Sequence, residues 1–246
     1  MTANTEWAAP SAIRCRGLSR RFGPHVAVEG LDLDVPAGQT FGLLGANGAG
    51  KTTFIRLVTG FLLPSAGSLE VFGLSPASAP ALVQRRLGFV TETSRLYPEL
   101  RVRSFLRFCG GARDLAGEEL DAAIERVVER FQIGAVIDRL VGNLSKGYQQ
   151  RVSLAQAFLH DPELVIVDEP TAGLDPVQQH EVQDVLASLR GERTVLLCTH
   201  DLHEAEALAE RVAVLRCGRL IAEGETASVL GSGDAMALFR DEASTP

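Results

Sequence analysis

Two short stretches of this chain carry residue types whose spacing could do chemistry. Gly45-Ala46-Asn47-Gly48-Ala49-Gly50-Lys51-Thr52 fits the pattern G-x-x-x-x-G-K-[ST]. Glycines let a backbone curl so that successive N–H groups converge on phosphate oxygens, and a helix starting there adds its positive end. Lys51 offers a point charge to the terminal phosphates and Thr52 a hydroxyl to Mg2+. Much later, the apolar run Leu164-Val165-Ile166-Val167 ends in Asp168-Glu169. Two carboxylates at the carboxyl end of a buried strand are costly without a task, and that is where α/β sheets place ligands. The natural division of labour has Asp168 hold Mg2+ through water while Glu169 polarises the attacking water.

These groups need a rigid frame, and the flanking patterns describe one. Phe41-Gly42-Leu43-Leu44 reads as a buried strand before the glycine-rich turn, and Thr52 to Thr59 reads as a helix after it. Upstream, the alternating segments Val26-Ala27-Val28 and Leu31-Asp32-Leu33-Asp34-Val35 predict an antiparallel sheet, with turns at Gly23-Pro24 and Pro36-Ala37-Gly38. Between about Thr91 and Leu144 the texture changes to helical spacing, with Val102, Phe105, Leu106 and then Leu120, Ile124, Val127, Val128, Phe131. Thr194 to Cys198 returns to buried-strand character after the helical Gln178 to Arg190. Short apolar strands alternating with helices argue a parallel sheet.

The fold expected is therefore α/β: a core resembling the RecA-like P-loop NTPases, with an N-terminal antiparallel β subdomain and an inserted α-helical subdomain. The boundaries read as a flexible N-terminus over 1–12, one domain over 13–230 with its helical insert at about 91–150, and a tail over 231–246. No internal repeat or coiled-coil heptad appears.

Composition narrows the partners. The 246 residues are 46% hydrophobic, as in ordinary globular proteins. No apolar run is long enough to span a membrane, and Met1 to Pro10 lacks the pattern of a secretory signal, so a membrane role would be peripheral. A net charge of -7 argues against a broad nucleic-acid surface but not against a local phosphate site. Cys15, Cys109, Cys198 and Cys217 are scattered without metal spacing and read as reduced thiols in a cytosolic protein.

Leu144-Ser145-Lys146-Gly147-Tyr148-Gln149-Gln150-Arg151, lying before Asp168-Glu169, is a serine and glycine turn opening a helix, whose free N–H groups and dipole can bind an anion. It resembles the signature of the ATP-binding cassette (ABC) family, usually LSGGQ followed by Q-R. With the other motifs the resemblance covers nearly everything from Ile13 to Gly224. It implies an ATPase subunit of a membrane transporter. Phe22 matches the aromatic that stacks on adenine, and Val28 and Thr53 fall among the family's nucleotide contacts. Ala172-Gly173-Leu174-Asp175 resembles the D-loop that crosses a dimer interface. His200 matches the switch histidine at the γ-phosphate.

Two departures stand out: Lys146 and Tyr148 replace the usual glycine and glutamine of the signature, and Glu92 replaces the glutamine of the Q-loop. Glu92 can also coordinate the metal, beside Thr52 and Asp168. Both departures resemble the branch serving ABC-2-type exporters. The family resemblance further implies two copies, identical or sister chains, meeting head to tail. Each ATP then lies between one chain's Gly45 to Thr53 loop and the other's Ser145-Lys146-Gly147 turn. A separate transmembrane permease is the expected partner, touching Leu96-Tyr97-Pro98-Glu99-Leu100, with the chain peripheral on the cytoplasmic face and no nucleic acid involved. ABC proteins acting on DNA or ribosomes carry paired cassettes, a coiled coil or a zinc insertion, which this sequence lacks.

Overall fold

The computed structural model describes residues 11–92 and 96–231. Expectations about residues 1–10 and 232–246, and about Thr93, lie outside the described residues. Two long strands, β1 (Ser11–Phe22) and β2 (His25–Pro36), form a hairpin across Gly23-Pro24. β4 (Ala66–Val71) joins the other edge of β1, so the antiparallel sheet runs β2-β1-β4. Ile13, Cys15 and Leu18 on β1 and Val28, Leu31, Leu33 and Val35 on β2 turn inward and are buried. The pairing shifts register between Cys15 and Leu18, near Gly17 at φ 58 and Gly30 at φ 58. Such bulges absorb breaks in alternation, so the separate short segments of the sequence reading are parts of two continuous strands. Ser11 and Ala12, placed in the flexible N-terminus by that reading, begin β1, and Ala12 is fully buried.

The second sheet holds β3 (Thr40–Leu44), β5 (Leu87–Val90), β6 (Leu164–Asp168), β7 (Thr194–Thr199), β8 (Arg211–Arg216) and β9 (Arg219–Glu225). Their order is β5-β6-β7-β3-β8-β9, parallel throughout except for β9. β3, β6 and β7 are buried at every position, which is why their sequences are unbroken apolar runs rather than alternations. Successive side chains still face opposite ways. Leu164 and Ile166 join the core shared with the antiparallel sheet and α1 (Lys51–Val58). Val165 and Val167 join the core on the other face.

That other face is covered by α3 (Val102–Gly111), α4 (Gly117–Arg130), α5 (Lys146–Phe158) and α6 (Pro176–Ala187). Helix-spaced Val102, Phe105, Leu106 and Leu120, Ile124, Val127 are buried there, and Phe131 packs on Phe158 with ring centroids 5.1 Å apart. Burying each such side chain favours the fold by roughly 1.5–3 kcal/mol. The helical region thus runs on to Phe158, past the 150 of the sequence reading. The described residues also include the short helices α2 (Pro80–Arg85), α7 (Leu202–Leu208) and α8 (Thr226–Leu230).

Topology assembles the chemistry. With β3 beside β7 and β7 beside β6, Leu44 pairs with Thr199 and Asp168 with Cys198. The ends of three strands far apart in sequence therefore open onto one edge of the sheet. This is where open α/β sheets bind ligands.

Candidate nucleotide site

The loop after β3 is shaped by contacts that only glycine permits. A Cβ on Gly45 would stand 2.6 Å from the Leu215 carbonyl oxygen. Gly50 adopts φ 110, and a Cβ there would stand 2.6 Å from the Ala27 oxygen. The Gly218 amide of the β8–β9 turn donates to the Ala49 oxygen at 2.9 Å, pinning the loop from behind. Its inner face is left for a ligand. Lys51 donates to the Gly45 carbonyl and lies 3.5 Å from Glu169 Oε1, with both side chains about nine-tenths buried.

A cleft of about 250 Å3 takes in Ala46, Asn47, Gly48, Gly50, Lys51, Thr52 and Thr53 from this loop, and Glu92, Asp168, Glu169 and His200 from three other strand ends. Glu169 holds a left-handed backbone at φ 48, with its N–H bonded to the Cys198 oxygen at 2.8 Å. Such a conformation is uncommon outside glycine and persists only where neighbours enforce it. It aims the carboxylate into the cleft, where Oε2 meets His200 Nδ1 at 2.8 Å. Burial pushes the Asp168 carboxyl up to about 6, helped by the negative charges of Glu169 and Glu92 and opposed by Lys51.

That electrostatic strain suits a cation. Thr52, Asp168 and Glu92 offer the hard oxygen donors that Mg2+ prefers. Among the described residues no group of three His, Cys, Asp or Glu side chains could hold a metal unaided. Mg2+ commonly keeps waters and takes phosphate oxygens as further ligands, so this donor set fits it as part of a nucleotide complex.

His25 and Ala27 of β2 also line the cleft, and the sequence reading missed both. Val28, expected at the nucleotide, is instead fully buried in the core behind Gly50. The signal was available in principle, since a buried Val28 on a strand turns its neighbour Ala27 to the other face. Phe22 stands opposite His25 at the hairpin end, 41% exposed, with the Arg20 guanidinium 4.6 Å from its ring centroid. It does not line the cleft, and neither do Gly45 and Ala49, which shape the loop from within.

The signature turn lies elsewhere. Ser145 caps α5 by accepting from the Tyr148 amide at 3.4 Å. The Gly147 amide donates to Gln178 Oε1 at 3.1 Å, and Lys146 Nζ to the Gly173 oxygen at 3.4 Å. Asp175 caps α6, accepting from the Val177 and Gln178 amides at 3.1 and 3.0 Å. None of Ser145, Lys146, Gly147 and Asp175 reaches the cleft of its own chain.

A phosphate-shaped loop leading into a helix on a central parallel strand, with acids at the neighbouring strand ends, defines a nucleoside triphosphatase of the P-loop class. The chain matches the family model described as ABC transporter over residues 28–172, more than half its length. It belongs to the ABC transporter family, as an ATP-binding subunit with ATPase activity. It is 38% identical over 218 residues to Nod factor export ATP-binding protein I of Rhizobium johnstonii, covering 88% of this chain and 70% of that one. It is 37% identical over 235 residues to the protein so named from Cupriavidus metallidurans, covering 94% and 77%. Among solved structures, an ATP binding subunit of an ABC transporter superposes with TM-score 0.79 at 28% identity, covering 94% of this chain and 95% of that one. CbiO1 from Clostridium perfringens, part of the ABC transporter complex CbiONQ, superposes with TM-score 0.85 at 24% identity over 93% and 94%, a likeness of fold.

Proposed function

We propose that this chain drives export through a separate membrane-spanning partner, hydrolysing ATP in a cleft completed by the signature turn of a second cassette. The observation that carries the reading is the contrast just described: Lys51, Glu169 and His200 converge on the cleft, while Ser145-Lys146-Gly147 opens elsewhere. The amides of Ala46 to Thr53 and the Lys51 ammonium bind the phosphates, and Phe22 stacks on adenine from the hairpin end. Thr52, Asp168 and Glu92 would hold Mg2+, whose charge would offset that of the phosphate oxygens. Glu169 takes a proton from the attacking water, and His200, fixed 2.8 Å from its carboxylate, orients it and reaches the γ-phosphate. Ser145, Lys146, Gly147 and Asp175 act in trans, so ATP favours the closed pair and hydrolysis releases it.

Export is supported by the names of the relatives. A peripheral place on the cytoplasmic membrane face is supported by exposed aromatic side chains at the segment expected to meet the partner. Tyr97 and Phe108 are exposed and pack edge to face at 5.4 Å. A groove of about 820 Å3 includes Phe61, Phe89 and Leu115, and Phe89 comes three residues before Glu92 in the chain. Among the described residues no helix is long and apolar enough to cross a membrane, so the path for the cargo lies in the partner.

In Glu169→Gln, ATP should still bind while turnover falls by about 100-fold or more. With ATP that variant should elute as a dimer in size-exclusion chromatography, and Glu169→Gln combined with Ser145→Arg as a monomer. Identical elution of the two would overturn the shared site.

A further inference from the structure

Glu204 is the most deeply buried charged side chain among the described residues, at 1% exposure. It lies in α7, behind the cleft rather than in its lining. The charged groups that bear on it are Glu169 and Asp201, both acids. Burial pushes its carboxyl up from the ordinary range, against two hydrogen bonds that favour the ionised form. A carboxylate buried without a cation costs stability that an apolar side chain would spare.

What it holds are two hydroxyls on the loops that carry the chemistry. Thr171 Oγ1 donates to Glu204 Oε1 at 2.8 Å, and the Thr199 side chain favours the ionised form of the same carboxylate. Thr171 is two residues past Glu169, on the far side of the left-handed turn, and Thr199 immediately precedes His200. Thr199 Oγ1 also accepts from the Asp201 amide at 3.0 Å and lies 3.5 Å from Glu169 Oε2. Left-handed Glu169 is thus braced on one side by its N–H to Cys198 and on the other through Thr171.

We infer that Glu204 is a positioning residue for hydrolysis, clamping Thr171 to Thr199 so that Glu169 and His200 meet. The inference rests on the reading of Glu169 as the base. It makes the buried acid a brace between the loop that leads on to Asp175 and the strand end that carries the histidine. Glutamine should serve nearly as well, because its carbonyl accepts from Thr171 and its amide reaches Thr199.

The test is steady-state ATPase of the full chain, with kcat and KM separated. Glu204→Ala should lower kcat by about 10-fold or more with KM for ATP within about twofold, since the phosphate loop is untouched. Glu204→Gln should recover kcat to within about threefold of wild type, and Thr171→Val should fall with Glu204→Ala. In a His200→Ala background, Glu204→Ala should cost clearly less, because the contact it maintains is gone. Equal costs in both backgrounds, or no rescue by glutamine, would make Glu204 a structural residue only. Should Glu204→Ala unfold, Glu204→Gln and Thr171→Val carry the test. Glu169→Gln assayed alongside separates the two readings. Retained turnover there removes the base, whereas lost turnover with an undisturbed Glu204→Ala removes only the brace.

Discussion

At Gly45 to Thr52 a glycine turn feeds α1, and at Ser145 to Gly147 a serine and glycine turn feeds α5, yet only the first stands among groups that could hydrolyse anything. Around the first are Lys51, Asp168, Glu169 and His200. Around the second, the Gly147 amide is held by Gln178 and Lys146 by the Gly173 oxygen. Farther along α5, the Arg151 guanidinium is paired with Glu181 at 2.8 Å. Both are helix N-termini suited to anions. Only the first stands beside carboxylates and a histidine. The contrast places the chemistry in the cleft, and under the proposed function it leaves the decision to proceed to a turn arriving from another copy.

Mixing damaged chains gives the harshest test of that division. Lys51→Ala and Ser145→Arg should each lower turnover by about 100-fold or more on their own. Combined, they form heterodimers in which one cleft has both its loop and its facing turn intact. Random pairing leaves roughly a quarter of all sites whole, so the mixture should turn over ATP well above either variant alone. A mixture as inactive as its components breaks the comparison.

How far the sequence could be read follows the same division between local and assembled features. The phosphate loop was legible because its chemistry lies within eight consecutive residues. β6 and β7 were legible because burial on both faces leaves unbroken apolar runs. The long bulged hairpin was not, since glycines at 17 and 30 interrupt the alternation that marks a strand. Val28 was named and Ala27 was not, because which of the two lines the cleft is settled by packing against Gly50 and Gly218. Glu204 was invisible for a similar reason. In Leu202-His203-Glu204-Ala205-Glu206 it reads as a solvated helix face, and its burial depends on Thr171 and Thr199 arriving from elsewhere.

The hairpin sharpens the contrast at a smaller scale. Under the proposed function Phe22 gives the cleft side a base contact that the signature turn lacks, and the Arg20 guanidinium lies 4.6 Å from its ring centroid. Phe22→Ala should raise KM for ATP about fivefold with kcat nearly unchanged, the mark of lost uniform binding. The reading predicts no effect on the dimer formed at saturating ATP. A fall in kcat with KM unmoved would place Phe22 outside the nucleotide contacts.

The smallest effect concerns the seam between the two regions. α5 carries the signature turn at its start, and just past its end His160 Nε2 bonds the Leu87 oxygen of β5 at 3.1 Å. Burial, with the nearby Arg113 charge, lowers the His160 pKa from 6.5 to about 4, against that hydrogen bond and Asp161. Above pH 6.5 the ring is neutral in both folded and unfolded chains and costs nothing. Below it the unfolded chain takes up a proton that the folded one refuses, so stability falls as pH drops from 6.5 towards 4. The side chain is only partly buried, which limits the loss to on the order of 1–2 kcal/mol. In urea titrations, wild type should lose stability relative to His160→Gln between pH 7.5 and pH 5, while ATP affinity at pH 7.5 stays the same. Parallel stability curves would show that the seam holds without the neutral ring.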